Sequence, residues 1–310
     1  MTSINRRVWR ADAILLFTAM IWGTGFVAQR LGMDAVGPML FNGLRFALGA
    51  LILLPFLLSR GSLSQLKQGL RGGITAGVVL FCGAAFQQVG IIYTSVANAG
   101  FITGLYVIFV PLIGLAFAHR TPSGTWLGAA IAVVGLYFLS VTEAFTIAFG
   151  DALQLAGALF WAAHVLVLGY YASRVKPLYL PFLQFVVCAA ISLLAALAAE
   201  SISINAIHAA SGAILYSGLV AVGMGYTLQV VGQKQAPAAH AAILLSLEAV
   251  FAALAGWWML GETLSTRSLI GCALMLSGML VAQLTPLYRR RSMGLGAVLV
   301  EESTTQQEDR

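Results

Sequence analysis

The chain repeats itself. Shifted by 139 residues, Asp12-Ala13 falls on Asp151-Ala152, Leu16 on Leu155, Ala19 on Ala158, Trp22 on Trp161, Val36 on Val175, Pro38 on Pro177, Leu44 on Leu183 and Phe46 on Phe185. Nine of the 37 positions from 12 to 48 match in this way without a gap. Toward the end of each copy the offset drifts to 143, where Gly128 meets Gly271 and Gly135 meets Gly278, as a few inserted loop residues would produce. Each copy carries five apolar segments. A membrane chain that crosses an odd number of times and then repeats must insert its second copy upside down. Inverted repeats of this kind build secondary transporters, with the substrate site near the midplane between the copies.

The bilayer reading rests on composition. With 60% apolar and 9% charged residues among 310, the chain has too little polar surface to be coated by water. A spanning helix needs roughly 20 mostly apolar residues. The sequence predicts ten such stretches, at 12–31, 38–58, 72–93, 97–118, 124–141, 152–173, 179–199, 211–233, 239–260 and 267–285. They are unbroken and too long for the strands of a closed barrel. The expectation is an all-α polytopic membrane protein of ten transmembrane helices, with repeats at 1–145 and 146–288 and a disordered tail at 289–310. Arg6, Arg7 and Arg10 precede the first segment as in a signal peptide, but the run is too long and no small-residue cleavage site follows it.

Positive charge sets the expected orientation. With the N-terminus inside, thirteen Lys and Arg lie in inside segments, from Arg6 to Arg291, and only Arg30 and Arg267 lie outside. Both termini are therefore expected in the cytoplasm of a bacterial inner membrane. The net charge of +6 is explained by topology, so no nucleic-acid partner is invoked. Without a GxxxxGK[ST] loop the chain carries no ATP hydrolysis of its own. Cys82, Cys188 and Cys272 fall one per segment in no metal-ligand spacing. No cofactor, metal or catalytic residue is expected, and His164 and Glu248 have no HExxH or GxSxG context that would make an intramembrane enzyme.

Polar groups within spans need a reason. Trp22 and its counterpart Trp161 lie near mid-span, the first with Thr18, Gly25 and Gln29 on its face, the second with Gly157, His164 and Leu168. Either they wall a central cavity or they pack helices. The third and eighth segments carry Gln87 and Gln88 against Tyr226, Gln229 and Gln233, which line the two halves of a path or make interhelical hydrogen bonds. At an offset of 142, Asn98 pairs with His240 and Tyr106 with Glu248. A charged carboxylate at that depth is costly unless a cation lies close. Glu248 is thus open to three roles: proton carrier, partner of a substrate ammonium, or neutral acid bonded across to another helix. In the last role Glu248→Gln should keep most transport. Arg45, the one strong base within a span, corresponds to Gln184 and is open to two roles: bonding helix-end carbonyls or reaching the interface, which is the expectation, or countering a substrate carboxylate.

The stretch 240–281, with Ser246-Leu247-Glu248, Gly261-Glu262, Gly271 and Gly278 in order, resembles the EamA type of the drug/metabolite transporter superfamily, as do Ile21-Trp22-Gly23 and Leu44-Arg45-Phe46. The resemblance covers roughly 12–285. It implies ten helices in a basket, with segments one, three, four, six, eight and nine around the cavity. The chain is most similar to the bacterial YddG-type exporters of aromatic and other neutral amino acids. Ala249 stands where many relatives have Pro, which leaves a hinge in the ninth segment without its usual cause. The candidate substrate-binding residues are Trp22, Gln87, Gln88, Asn98, Tyr106, Trp161, His164, Tyr226, Gln229 and Glu248. Together they describe a gradient-driven or facilitative exporter of small amphipathic metabolites, with a cationic drug/proton antiporter using Glu248 as the open alternative.

Overall fold

A computed structural model of the chain describes residues 3–60, 63–115, 123–140, 147–176, 178–236 and 238–281. The described residues are almost wholly helical: α1 (Ser3–Gly32), α2 (Pro38–Arg60), α3 (Leu63–Gly90), α4 (Val96–Thr103), α5 (Tyr106–Leu115), α6 (Ser123–Ser140), α7 (Phe149–Tyr171), α8 (Tyr179–Ala199), α9 (Ile204–Ala209), α10 (Ser211–Leu215), a π-wound segment (Tyr216–Tyr226), α11 (Thr227–Gln233), α12 (Ala238–Ser246) and α13 (Glu248–Leu260). A last helix, α14, covers Thr266–Val281. Eight helices are long and apolar enough to cross a membrane, whereas Trp126–Phe138 in α6 and α14 are shorter apolar helices. The 18 residues of α6 rise about 27 Å, just short of a hydrocarbon core of about 30 Å. The 289–310 tail lies outside the described residues.

Two spans are each broken at mid-length. Between α4 and α5 the amide of Leu105 bonds Ile102 and that of Val107 bonds Gly104, a tightened turn that ends one helix and starts the next. Between α12 and α13 the Leu247 amide reaches back to Leu244 and the Val250 amide to Leu247. No proline is needed there. The Ser246 hydroxyl donates to the Ile243 carbonyl at 2.7 Å, competing with the helix ladder. Tyr106 and Glu248, paired at an offset of 142, are each the first residue after their break.

Contacts fix two ends of the bundle. Trp22 lies on Gly225 and Leu15 on Gly232, so α1 runs antiparallel to the π segment and α11. Likewise α3 runs antiparallel to α7, with Gly72 on Tyr171 and Gly90 on Gly150. At the end where α1 begins, the near face, His240 Nε2 and Asp12 Oδ1 are 2.8 Å apart. At the far face, Thr94 donates to Asp151 and Asn98 lies within 3.5 Å of its other oxygen. The repeat relates Asp12 to Asp151 and His240 to Asn98, so the two clasps occupy equivalent slots.

The far face carries two more carboxylate contacts. The backbone amides of Met39 and Leu40 donate to Glu200 Oε1 and Oε2, both at 2.8 Å, and those of Val96 and Ala97 donate to Glu262 at 2.8 and 3.2 Å. Each Glu satisfies otherwise orphaned donors at a helix start and complements its dipole. Gly261, the one described glycine at positive φ (67°), turns the chain at the end of α13 so that Glu262 can fold back. At the near face the equivalent start of α8 has no side-chain cap. We expect Glu200→Ala and Glu262→Ala each to lower stability by about 1–2 kcal/mol. Thermal unfolding of the purified protein checks this, and unchanged midpoints in both variants would show that water caps these helices equally well.

The short helices α6 and α14 meet through the glycines of the drifted repeat. A side chain at Gly135 would begin 2.7 Å from the Gly271 carbonyl, and one at Gly278 would begin 2.5 Å from the Gly128 carbonyl. The residues that align between copies therefore touch each other reciprocally. Trp9 and Trp258 are exposed near opposite ends of the bundle, where amphipathic rings suit the edges of an apolar belt.

Candidate functional site

One cavity sits at the middle of the bundle, where the helix breaks, the π segment and α2 converge. It is lined by Trp22, Gln87, Tyr106, Trp161, His164, Tyr226, Gln229 and Glu248, eight of the ten residues singled out from sequence, together with Phe26, Gln29, Arg45, Thr103, Val165, Ala221, Val222 and Leu245.

Aromatic rings form its wall. Tyr226, at the end of the π segment, lies 4.7 Å from the Trp22 ring centroid and 6.3 Å from that of Trp161, and it also meets Phe46 and His164 at 6.0 and 5.9 Å. Each tryptophan is seated on a glycine of the other copy, Trp22 on Gly225 and Trp161 on Gly83. The pair is unequal in its polar edge. Trp22 Nε1 donates to the Ala221 carbonyl at 3.0 Å, within the π-wound stretch, whereas Trp161 Nε1 is buried without a partner. The first indole is fixed by the protein, and the second presents a free donor.

The amides divide in a similar way. Gln87 donates to Gln29 Oε1 at 2.9 Å, and its backbone carbonyl accepts from Gln154 at 3.0 Å. Gln88 is fully buried and donates to the Gln29 carbonyl at 3.2 Å, away from the cavity lining. Neighbours on a helix point about 100° apart, so Gln87 and Gln88 cannot both face one cavity. Asn98 also lies off the lining, at the far-face clasp with Asp151. His164 Nε2 is 2.9 Å from Gln184 Oε1, which gives both buried groups a partner.

The charged groups are the main departure from the sequence reading. Glu248 is 4% exposed and opens α13, where the helix dipole favours a negative group. Arg45 neither reaches the interface nor bonds helix-end carbonyls: it is 3% exposed, lines the cavity, and stacks over the rings of Phe46 and Phe41 at 5.0 and 5.7 Å. Among the described residues the ion pairs are Arg30–Asp34 and His240–Asp12, so no carboxylate lies within 4 Å of Arg45 and no base within 4 Å of Glu248. Gln29, Arg45 and Thr103 are the polar lining residues that the sequence reading left out of its site. The signal for Arg45 was its charge within a span; its rotation about α2, which turns it inward, had none. No group of three or more His, Cys, Asp or Glu among the described residues is arranged to hold a metal ion.

A family model described as the EamA-like transporter family matches residues 9–141 and 148–283. An uncharacterized transporter of Archaeoglobus fulgidus is 33% identical over 276 residues, covering 88% of this chain and 86% of that one. The uncharacterized transporter YwfM of Bacillus subtilis is 27% identical over 283 residues, with 88% and 93% covered. A solved crystal structure shares the fold with a TM-score of 0.68 at 22% identity, over 89% of this chain and 98% of that chain.

Proposed function

Because the chain belongs to the EamA-like transporter family, we propose that this membrane transporter exports small amphipathic metabolites, neutral and aromatic amino acids foremost, by alternating access through the central cavity. The observation that carries the reading is the pair of broken spans. Each break starts a half-helix at the cavity with a polar residue, Tyr106 on α5 and Glu248 on α13. Discontinuous helices at the midplane are how many secondary transporters form a site from backbone ends and a few side chains.

In this reading the halves 1–145 and 146–288 are inverted five-helix repeats, α6 and α14 completing them. The reciprocal contacts Gly135–Gly271 and Gly278–Gly128 support it, as do the equivalent clasps Asp12–His240 and Asp151–Asn98. Rocking of the halves breaks one clasp while the other holds. The near face is then the cytoplasmic face of a bacterial inner membrane, in keeping with the distribution of Lys and Arg. Trp22, Trp161 and Tyr226 hold the apolar part of the substrate.

Efflux from proteoliposomes, run over a panel of amino acids and amines with and without an imposed pH gradient, tests the proposal. Aromatic and other neutral amino acids are expected to move down their gradients, and Trp161→Ala to cut that flux about tenfold while leaving the fold intact. Exclusive transport of organic cations against protons would give the site to an antiporter instead. Equal loss of folded protein in Trp22→Ala and Trp161→Ala would show that both rings serve packing alone.

A further inference from the structure

Arg45 is a cation with nothing to hold. Its side chain is 97% buried by its 3% exposure, it lines the cavity, and its Nε has no hydrogen-bond partner. A guanidinium removed from water normally survives by pairing with a carboxylate or by satisfying its donors. Here its neighbours are the faces of Phe41 and Phe46, which attract a cation without satisfying its N–H groups. The repeat shows what is missing. The slot of Arg45 in the second copy is Gln184, which bonds His164 at 2.9 Å. At the same offset His164 corresponds to Gly25, which has no side chain to offer. One copy thus completes a buried polar pair, and the other leaves the stronger group of its pair unanswered beside a cavity.

One more donor on this cavity is buried and unpartnered, Trp161 Nε1. A carboxylate brings about four acceptor sites. The acid on the same wall, Glu248, forms no ion pair with Arg45, so the protein does not answer its own cation.

We infer that Arg45 is the carboxylate-binding residue of the cavity. Its ligands are organic molecules with a carboxylate for Arg45, an apolar or aromatic body against Tyr226 and Trp161, and, in a zwitterion, an ammonium toward Glu248. This deepens the transport reading and rests on it for the role of the cavity, but binding can be measured apart from transport.

The experiment compares wild type, Arg45→Gln and Arg45→Lys in detergent, by thermal unfolding with 3-phenylpropionate, phenylalanine, phenethylamine or sodium chloride. Without ligand, Arg45→Gln is expected to unfold at the wild-type temperature or above it, because an unpaired buried charge is removed. A fall in its unfolding temperature would make Arg45 a structural residue and overturn the inference. Phenylalanine and 3-phenylpropionate should protect the wild type, and Arg45→Gln should weaken both by about 30-fold or more in apparent affinity. Arg45→Lys, which keeps the charge and loses the fork, should fall between them. Phenethylamine should bind no more weakly to Arg45→Gln than to wild type. Failure of both carboxylates to protect the wild type, or equal protection by chloride alone, overturns the inference. If protection follows this pattern while vesicles release none of the panel, the carboxylate site stands and the exporter reading falls.

Discussion

Glu248→Gln is expected to reduce export of zwitterionic amino acids by at least about tenfold while leaving the amount and stability of folded protein unchanged. On sequence grounds alone the substitution is mild, since a neutral acid isolated from any base loses little when it becomes an amide. The structure changes the premise, because Arg45 shares the cavity with Glu248. Glu248 also begins a half-helix, where the dipole supports a negative charge, and it has no base within 4 Å among the described residues. An acid held this way is suited to receive an ammonium, and losing one partner of a buried charge pair costs about 2–5 kcal/mol. The check is a pair of probes. Phenylalanine should lose affinity in Glu248→Gln, and 3-phenylpropionate, which has no ammonium, should keep it. Near wild-type export of phenylalanine by the variant would return Glu248 to a structural role.

The second large effect concerns the fold. Gly23 lets α1 touch α13: a Cβ there would stand 2.3 Å from Phe251 Cβ and 2.8 Å from both the Ala252 nitrogen and the Glu248 carbonyl oxygen. Backbone cannot swing aside as a side-chain tip can, so Gly23→Ala must push the helices apart. Overpacking of this kind costs roughly 1–3 kcal/mol and sometimes more. We expect Gly23→Ala at the upper end of that range and Gly23→Val to leave little folded protein. Gly25→Ala, two residues away, is the control, because its methyl would meet only Ala221 Cβ at 3.4 Å, an ordinary contact. Size-exclusion profiles and unfolding temperatures of the three variants decide it, and equal behaviour of Gly23→Ala and Gly25→Ala would mean that α13 yields easily.

Much of this architecture was legible in the chain because duplication records pairs. The pairing of Trp22 with Trp161 offered a common wall as one of two readings, and Gly128, Gly135, Gly271 and Gly278 marked the repeat without showing that their helices touch. Other features had no such trace. The break before Glu248 was obscured because proline, its familiar cause, is absent, and a serine back-bond with a tightened turn does the work instead. The π winding of 216–226 leaves no periodicity to read; its glycines allow close contact, Gly225 with Trp22 and Gly218 with Leu48. Gln88 and Asn98 were assigned by depth, and depth does not tell which way a helix is turned. For the same reason the sequence offered a substrate carboxylate for Arg45 but favoured helix-end carbonyls or the interface, and its twin Gln184 carries the informative difference.

The unequal ends of the bundle bear on kinetics. A facilitative carrier cannot pump, yet it need not look the same from its two sides. The far face carries the contacts of Glu200 and Glu262 in addition to that of Asp151, and where rocking breaks both, two such caps at about 1–2 kcal/mol each would favour the conformer that keeps them by roughly 30- to 1000-fold. In the proposed cycle a solute at the near face would meet the populated conformer, and one at the far face would wait for the rare one. Half-saturation is then reached at much lower concentration from the near side. Microscopic reversibility keeps Vmax/KM equal in the two directions, so in the proposed cycle dilute solute would move equally readily either way, and the asymmetry would show only near saturation, as an early, low ceiling on flux from the near side and a late, high one from the far side.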